Sequence, residues 1–245
     1  MLTTFVLAAI IGAFPPAAPD RRPVPILMYH VIAAPPAGAR YPGLYVRPAE
    51  FAGEMQWLAR NGYRAVTLER AWNAWHGLGR LPRRPVVLTF DDGYRSDFTN
   101  ALPILRRLRW PGVLNLEVAN TRPVWGTRPG EVEALVDAHW EIDAHTLTHP
   151  DLTRLSLAAV WRQVDGSRLA IRREFHVPVE FFAYPSGRFN REVEKLVRRA
   201  GFDAATTTVE GLARPSGDPY ALDRVRVSGG VGVLGLAATL RALHA

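Results

Sequence analysis

The chain has 245 residues, 48% of them hydrophobic, a net charge of +7 and no cysteine. That length and apolar content suit one large α/β domain, and the lack of cysteine excludes disulfides and thiolate ligands, so a metal site here must be built from His, Asp and Glu. Of the 30 basic residues only Lys195 is a lysine, and the arginines are scattered over helical patterns with no recognition motif, which sets nucleic acid aside as a partner and leaves an anionic envelope polymer as a possible attraction.

The opening MLTTFVLAAIIGAFPPAAPDRRP holds a short apolar run followed by small residues and prolines, the order of a secretory signal peptide, although no Lys or Arg precedes the run. The run is too short for a stable membrane span. Residues 1–22 are therefore expected to be a leader and short linker, and 23–245 one domain. VPILMYH (24–30) reads as a strand. PAEFAGEMQWLARNGY (48–63) has helical spacing of Phe51, Met55 and Leu58 and a stop at Asn61-Gly62. An alternating series follows: strand RAVTL, helix ERAWNAWHGL, strand RPVVLTF, helix DFTNALPILRRL, strand GVLNLEV, helix EVEALVDA, strand WEIDAH and the long helix SLAAVWRQVDGSRLAIRREF. EFFAYP is a strand, REVEKLVRRAG a helix with a glycine stop, DAATT and RVRV are strands, and a last helix covers about 231–243. Alternation of this kind predicts a parallel sheet covered by helices and closed into a barrel.

In such folds chemistry gathers at the C-terminal ends of the strands, and four motifs fall there. His30 ends the first strand, Asp91-Asp92 follow VVLTF, His145 and His149 follow WEIDA, and Tyr184-Pro185-Ser186-Gly187 follow FFA. Adjacent carboxylates repel, and a continuing strand would send them to opposite faces. A turn eased by Gly93 can bring both into one cleft, where a cation binding one of them relieves the repulsion and leaves the other free as a base. His145 and His149 are four apart, so one turn of helix-like backbone would aim both imidazoles the same way, and two imidazoles plus a carboxylate suit zinc or a similar divalent ion. Trp72, Trp75 and Trp110 read as core, and His76, His139 and His176 as helix-end residues.

TFDDGY followed by HTLTH resembles the first two motifs of the polysaccharide deacetylase (NodB-homology) family, family 4 of the carbohydrate esterases. The resemblance implies an α/β fold, the distorted (β/α)7 barrel, with Asp91 as catalytic base and Asp92, His145 and His149 holding a divalent ion, most often zinc, with cobalt, nickel or manganese as alternatives. Tyr184 to Gly187 would form the substrate and oxyanion segment, with the backbone N–H of the Ser186 position donating. Two departures stand out. The arginine of the family's third motif is Ala183 here, so the charge beside the base must come from elsewhere, Arg224 or Arg226 being the candidates. The late Leu-x-His that supplies a general acid is missing, and His30, in the MYH strand of a branch of the family, is the expected substitute. The implied function is N-deacetylation of a cell-wall or extracellular polysaccharide by a secreted monomer. The alternatives are O-acetyl ester hydrolysis on xylan or another acetylated glycan, and a non-catalytic carbohydrate-binding relative.

Overall fold

The structure is a computed structural model that describes residues 18–244. Most of the expected leader lies outside the described residues. The end of that segment is fastened to the domain, because the Asp20 N–H donates to Ala74 O at 2.9 Å and the Arg22 guanidinium donates to the carbonyls of Pro82 and Arg83 at 3.1 and 2.8 Å. No helix among the described residues is long and apolar enough to cross a membrane.

Among the described residues eight strands alternate with seven α-helices. The strands are β1 (Ile26–Tyr29), β2 (Tyr63–Val66), β3 (Arg84–Asp92), β4 (Val113–Leu116), β5 (Glu141–Ala144), β6 (Phe181–Ala183), β7 (Ala204–Glu210) and β8 (Leu222–Arg226). The helices are α1 (Pro48–Arg60), α2 (Leu68–Trp75), α3 (Leu102–Leu108), α4 (Pro129–Asp137), α5 (Leu157–Phe175), α6 (Arg191–Arg199) and α7 (Gly232–His244). Strand pairing runs β1-β8-β7-β6-β5-β4-β3-β2, and β1 also pairs with β3. The second contact closes a barrel of seven parallel strands and leaves β2 outside it. β3 is long enough to serve both neighbours: Arg84 to Val87 match β2, and Val87 to Phe90 match β1.

Alternation along these strands separates two cores. Leu27, Tyr29, Leu88, Phe90, Leu114 and Phe182 pack between the sheet and the helices, while Ile26, Val87, Val113, Phe181, Ala204 and Leu222 form a second cluster. That second set is the apolar floor of the barrel, and on β3, β4 and β8 the residues two or four positions further along are polar: Thr89, Asp91, Asn115, Arg224. An apolar floor under a polar upper layer places the chemistry at the C-terminal mouth.

Several element ends differ from the sequence reading for identifiable reasons. Thr67, read as strand, is the N-cap of α2, its hydroxyl accepting from Arg70 N at 3.1 Å. The helix expected over 97–108 begins as a π-helical turn, Asp97–Ala101, ahead of α3, where Pro103 cannot donate to the preceding turn. Trp75 and Trp110 are buried in the core.

Candidate active site

Strand β3 delivers both carboxylates. Asp91 lies opposite Asn115 of β4 and points into the barrel. Strand alternation would turn Asp92 outward, but Asp92 adopts φ 76° and Gly93 φ 82°, and this left-handed turn swings the second carboxylate into the same cleft. Aspartate tolerates that conformation better than most residues, and the turn resolves the oddity of two adjacent acids after a buried strand.

Asp91 is almost fully buried and clamped. Arg224, itself wholly buried, donates from both terminal nitrogens to its two oxygens at 2.8 and 2.7 Å, the fork geometry of a bidentate pair. The guanidinium is held in turn by Thr207 O at 2.7 Å and Thr89 Oγ1 at 3.1 Å. Asn115 Nδ2 adds a third donor to Asp91 Oδ1 at 2.7 Å. Burial alone would push the Asp91 carboxyl up, but the Arg224 charge and hydrogen bonds outweigh it and hold the group well below the ordinary carboxylate range. His30 Nε2 stands 3.9 Å from Asp91 Oδ2. Burial pushes this imidazole below its usual value despite the pull of Asp91 and Asp92. Of the two arginines raised as candidates from the sequence, Arg224 makes the pair. Arg226, two residues on, lines the cleft without contacting Asp91.

The second cluster is Asp92, His145 and His149, whose ligand atoms lie within 4.8 Å of one another. Asp92 Oδ1 is 3.3 Å from His145 Nε2 and 3.5 Å from His149 Nε2, yet it is buried without a hydrogen-bond partner. His145 Nδ1 lies 2.7 Å from the Ala183 carbonyl, which requires a proton on Nδ1 and leaves Nε2 free to present a lone pair. An orphaned buried carboxylate oxygen facing two imidazole nitrogens, one of them tautomer-fixed, is a donor set that fits a divalent cation. The backbone between the histidines is a tight turn rather than helix-like. Thr146 and His149 have φ 68° and 52°, Thr146 Oγ1 accepts from His149 N at 2.9 Å, and Gln163 Oε1 of α5 accepts from Leu147 N and Thr148 N at 3.0 and 3.1 Å.

The 184–187 segment divides. Tyr184 and Pro185 are buried and do not line the cleft. The Tyr184 ring stacks on Phe189 at 4.5 Å, because β6 ends at Ala183 and its next residue turns toward the helix layer. Ser186 alone of the four lines the cleft, at φ 54°, and its backbone N–H donates to no group among the described residues. Gly187 is a structural requirement: its φ is +68° and a Cβ there would meet Thr208 Oγ1 at 2.1 Å.

Both clusters open into one cleft of about 730 Å³, which also holds Glu117, Asn120, Tyr41 and Trp125. Sequence reasoning missed Asn115 and Glu117, although two polar residues spaced two apart at the end of GVLNLEV were the available signal. It also missed Trp125 and Tyr41, exposed aromatics on loops, while weighing Trp72 and Trp75 of α2 and the buried Trp110. Glu117 is half-buried, and burial with the neighbouring Asp92 charge pushes its carboxyl up to about 7.

A closed parallel barrel that carries a clamped aspartate beside a candidate cation-binding set at its mouth has the architecture of a barrel hydrolase. The sequence profile of the polysaccharide deacetylase family matches residues 79–205, just over half of the chain, and the chain belongs to that family. Among curated proteins it is similar to the polysaccharide deacetylase homologue YxkH of Bacillus subtilis, 28% identical over 85% of this chain and 72% of that one. It is also similar to the poly-beta-1,6-N-acetyl-D-glucosamine N-deacetylase of Escherichia coli, 25% identical over 78% of this chain but only 34% of that protein. Among solved structures the Streptococcus pyogenes deacetylase PplD in complex with acetate superposes with a TM-score of 0.84, at 25% identity, over 90% of this chain and 99% of that one. His30 and Arg224 both lie outside the segment matched by the profile.

Proposed function

We propose that the protein is a metal-dependent N-deacetylase acting on an N-acetylglucosamine polysaccharide of the cell envelope or its surroundings. The observation that carries this reading is the side-by-side arrangement, in one open cleft, of an aspartate locked in its ionised form and an Asp-His-His set with an orphaned carboxylate oxygen. Asp92, His145 and His149 would hold the ion, which when bound supplies Lewis-acid polarisation of the acetamide carbonyl and lowers the pKa of water.

The chain's own residues do the rest. Arg224 and Asn115 occupy Asp91 Oδ1, and Arg224 also holds Oδ2, which faces the His30 side of the cleft. Oδ2 is therefore the atom that accepts a proton from the attacking water, and the clamp fixes its direction. His30, close enough to exchange a proton with Oδ2 through one water, is the group that protonates the departing amine. The free Ser186 N–H, held in place by the strained turn before Gly187, is the donor for the developing oxyanion.

Acetate release from poly-β-1,6-N-acetylglucosamine, chitooligosaccharides, peptidoglycan and acetylxylan, with and without chelation, tests the reading. Release from an N-acetyl glycan, lost on chelation and restored by a divalent ion, is expected. Asp91→Asn should keep its metal and lose turnover by roughly 10²–10⁴-fold. Cleavage of acetylxylan alone would overturn the N-deacetylase assignment in favour of an esterase.

A further inference from the structure

The cleft contains one carboxylate that the mechanism leaves unused. Positions 113 and 115 of β4 face the barrel interior, so position 117, just beyond the strand end, comes to the mouth, where Glu117 lines the cleft with Asp92, His145 and His149. Its placement is fixed. Asn120 Nδ2 donates to Glu117 Oε2 at 3.0 Å and to the Asp92 carbonyl at 2.8 Å, tying this carboxylate to the turn that carries the metal-binding one.

Glu117 nevertheless has no cation. Among the described residues it forms no ion pair, its Oε1 accepts no hydrogen bond, and Arg226, which lines the same cleft, does not reach it. It also falls outside the set whose ligand atoms cluster within 4.8 Å, so it is not a fourth member of the metal group. It stands on the β4 flank of β3, whereas His30 stands on the β1 flank. A half-desolvated carboxylate held by a neutral amide and left without a counter-charge is a site for a cation brought by the ligand.

We propose that Glu117 binds the ammonium group of a glucosamine unit next to the sugar being processed, so that the cleft favours a glycan that already carries free amines. This rests on the N-deacetylase reading, in which that amine is the enzyme's own product. Each turnover then creates the recognition element for the next, and deacetylation spreads in blocks along the polymer.

The test compares binding of a glucosamine tetramer with that of the equally linked glucose tetramer, neither of which is turned over, to metal-loaded wild type, Glu117→Gln and Glu117→Asp by calorimetry at pH 7. One charge-assisted hydrogen bond predicts that wild type prefers the amine-bearing tetramer by about tenfold or more. The preference should fall to roughly twofold or less in Glu117→Gln, take an intermediate value in Glu117→Asp, and shrink with added salt in wild type. Thermal melting checks that the variants fold, and if Glu117→Gln does not, Glu117→Asp decides. A preference that is absent in wild type, or unchanged in the variants, overturns the proposal. Acetate release without a Glu117-dependent preference rejects this inference alone. The preference without acetate release from any N-acetyl glycan rejects the deacetylase reading and leaves the amine site standing.

Discussion

Replacing Arg224 by methionine removes the guanidinium paired with Asp91 while keeping a long side chain in the barrel. Both groups are buried, and the arginine makes two hydrogen bonds to the carboxylate and two to Thr207 and Thr89. Breaking such a pair from one side strands a buried charge and costs about 3–5 kcal/mol, against near-neutrality when both charges are replaced together. For a domain of this size that is a fall in Tm of roughly 6–20 °C. The pH dependence changes sign with it. In wild type the Asp91 carboxyl is depressed, so its contribution to stability is present above the unfolded pKa of 3.8 and is lost as pH falls below that value. In Arg224→Met burial is opposed only by the Asn115 hydrogen bond and the nearby imidazoles, the folded pKa rises above the unfolded one, and stability falls as pH rises through the carboxylate range. The gap between wild type and variant should therefore widen from pH 3 to pH 7. Thermal and urea melts of the chelated proteins measure it, and the double variant Asp91→Asn/Arg224→Met should recover most of the loss. A single variant within about 1 kcal/mol of wild type at pH 7, or a double variant no better than the single, would refute the claim that the pair holds a buried charge.

His30→Ala should lower amide turnover by roughly 10²–10⁴-fold and hydrolysis of an activated aryl acetate much less, because only the amine needs a proton to leave. Since burial depresses His30, the alkaline limb of the wild-type kcat/KM profile should lie below pH 6.5 and disappear in the variant; equal losses on both substrates with the limb retained would make His30 structural. Burial also raises both carboxyls of β5, Asp143 to about 7 and Glu141 well above its usual value, while Glu141 accepts from the Glu69 N–H at the start of α2 at 3.0 Å. The folded state then binds more protons than the unfolded one, so stability should fall between about pH 4 and 7, and Asp143→Asn should flatten that slope in pH-dependent melts. Gly187→Ala should lower both Tm and kcat, because its Cβ has no space beside Thr208 and the turn that carries Ser186 must move; unchanged kinetics would separate Ser186 from the chemistry.

The alternation of elements was legible because each strand is a short apolar run bounded by a helix with its own caps and stops. The acids and histidines were legible because strand ends in such a fold share one mouth. Other features depended on closure. Arg224 and Arg226 have the same local pattern, and only the pairing of β8 with β1 selects the one that faces Asp91, 133 positions away. The outside position of β2 was equally invisible, since its composition matches that of the barrel strands and only the double use of β3 excludes it. Which residue of the 184–187 stretch lines the cleft was not legible either, because a motif names a stretch of chain, while the turn after Ala183 decides which of its side chains face the mouth. Asn115 sits in a strand whose apolar content dominates the pattern, and its meaning appears only once Asp91 is its cross-strand partner.

The closure of the barrel through β8 bears on how the molecule is made. Synthesis proceeds from the N-terminus, so Asp91, Asp92, His145 and His149 all emerge well before residues 222–226. Until those last residues arrive, the gap between β1 and β7 stays open and Asp91 has no guanidinium to hold it as an anion in the interior. A growing or C-terminally clipped chain thus carries every acid and imidazole of the candidate site but lacks the guanidinium that pairs with Asp91. The final strand completes the barrel wall and the Asp91 pair in one step, so the finished site is a mark of the finished fold.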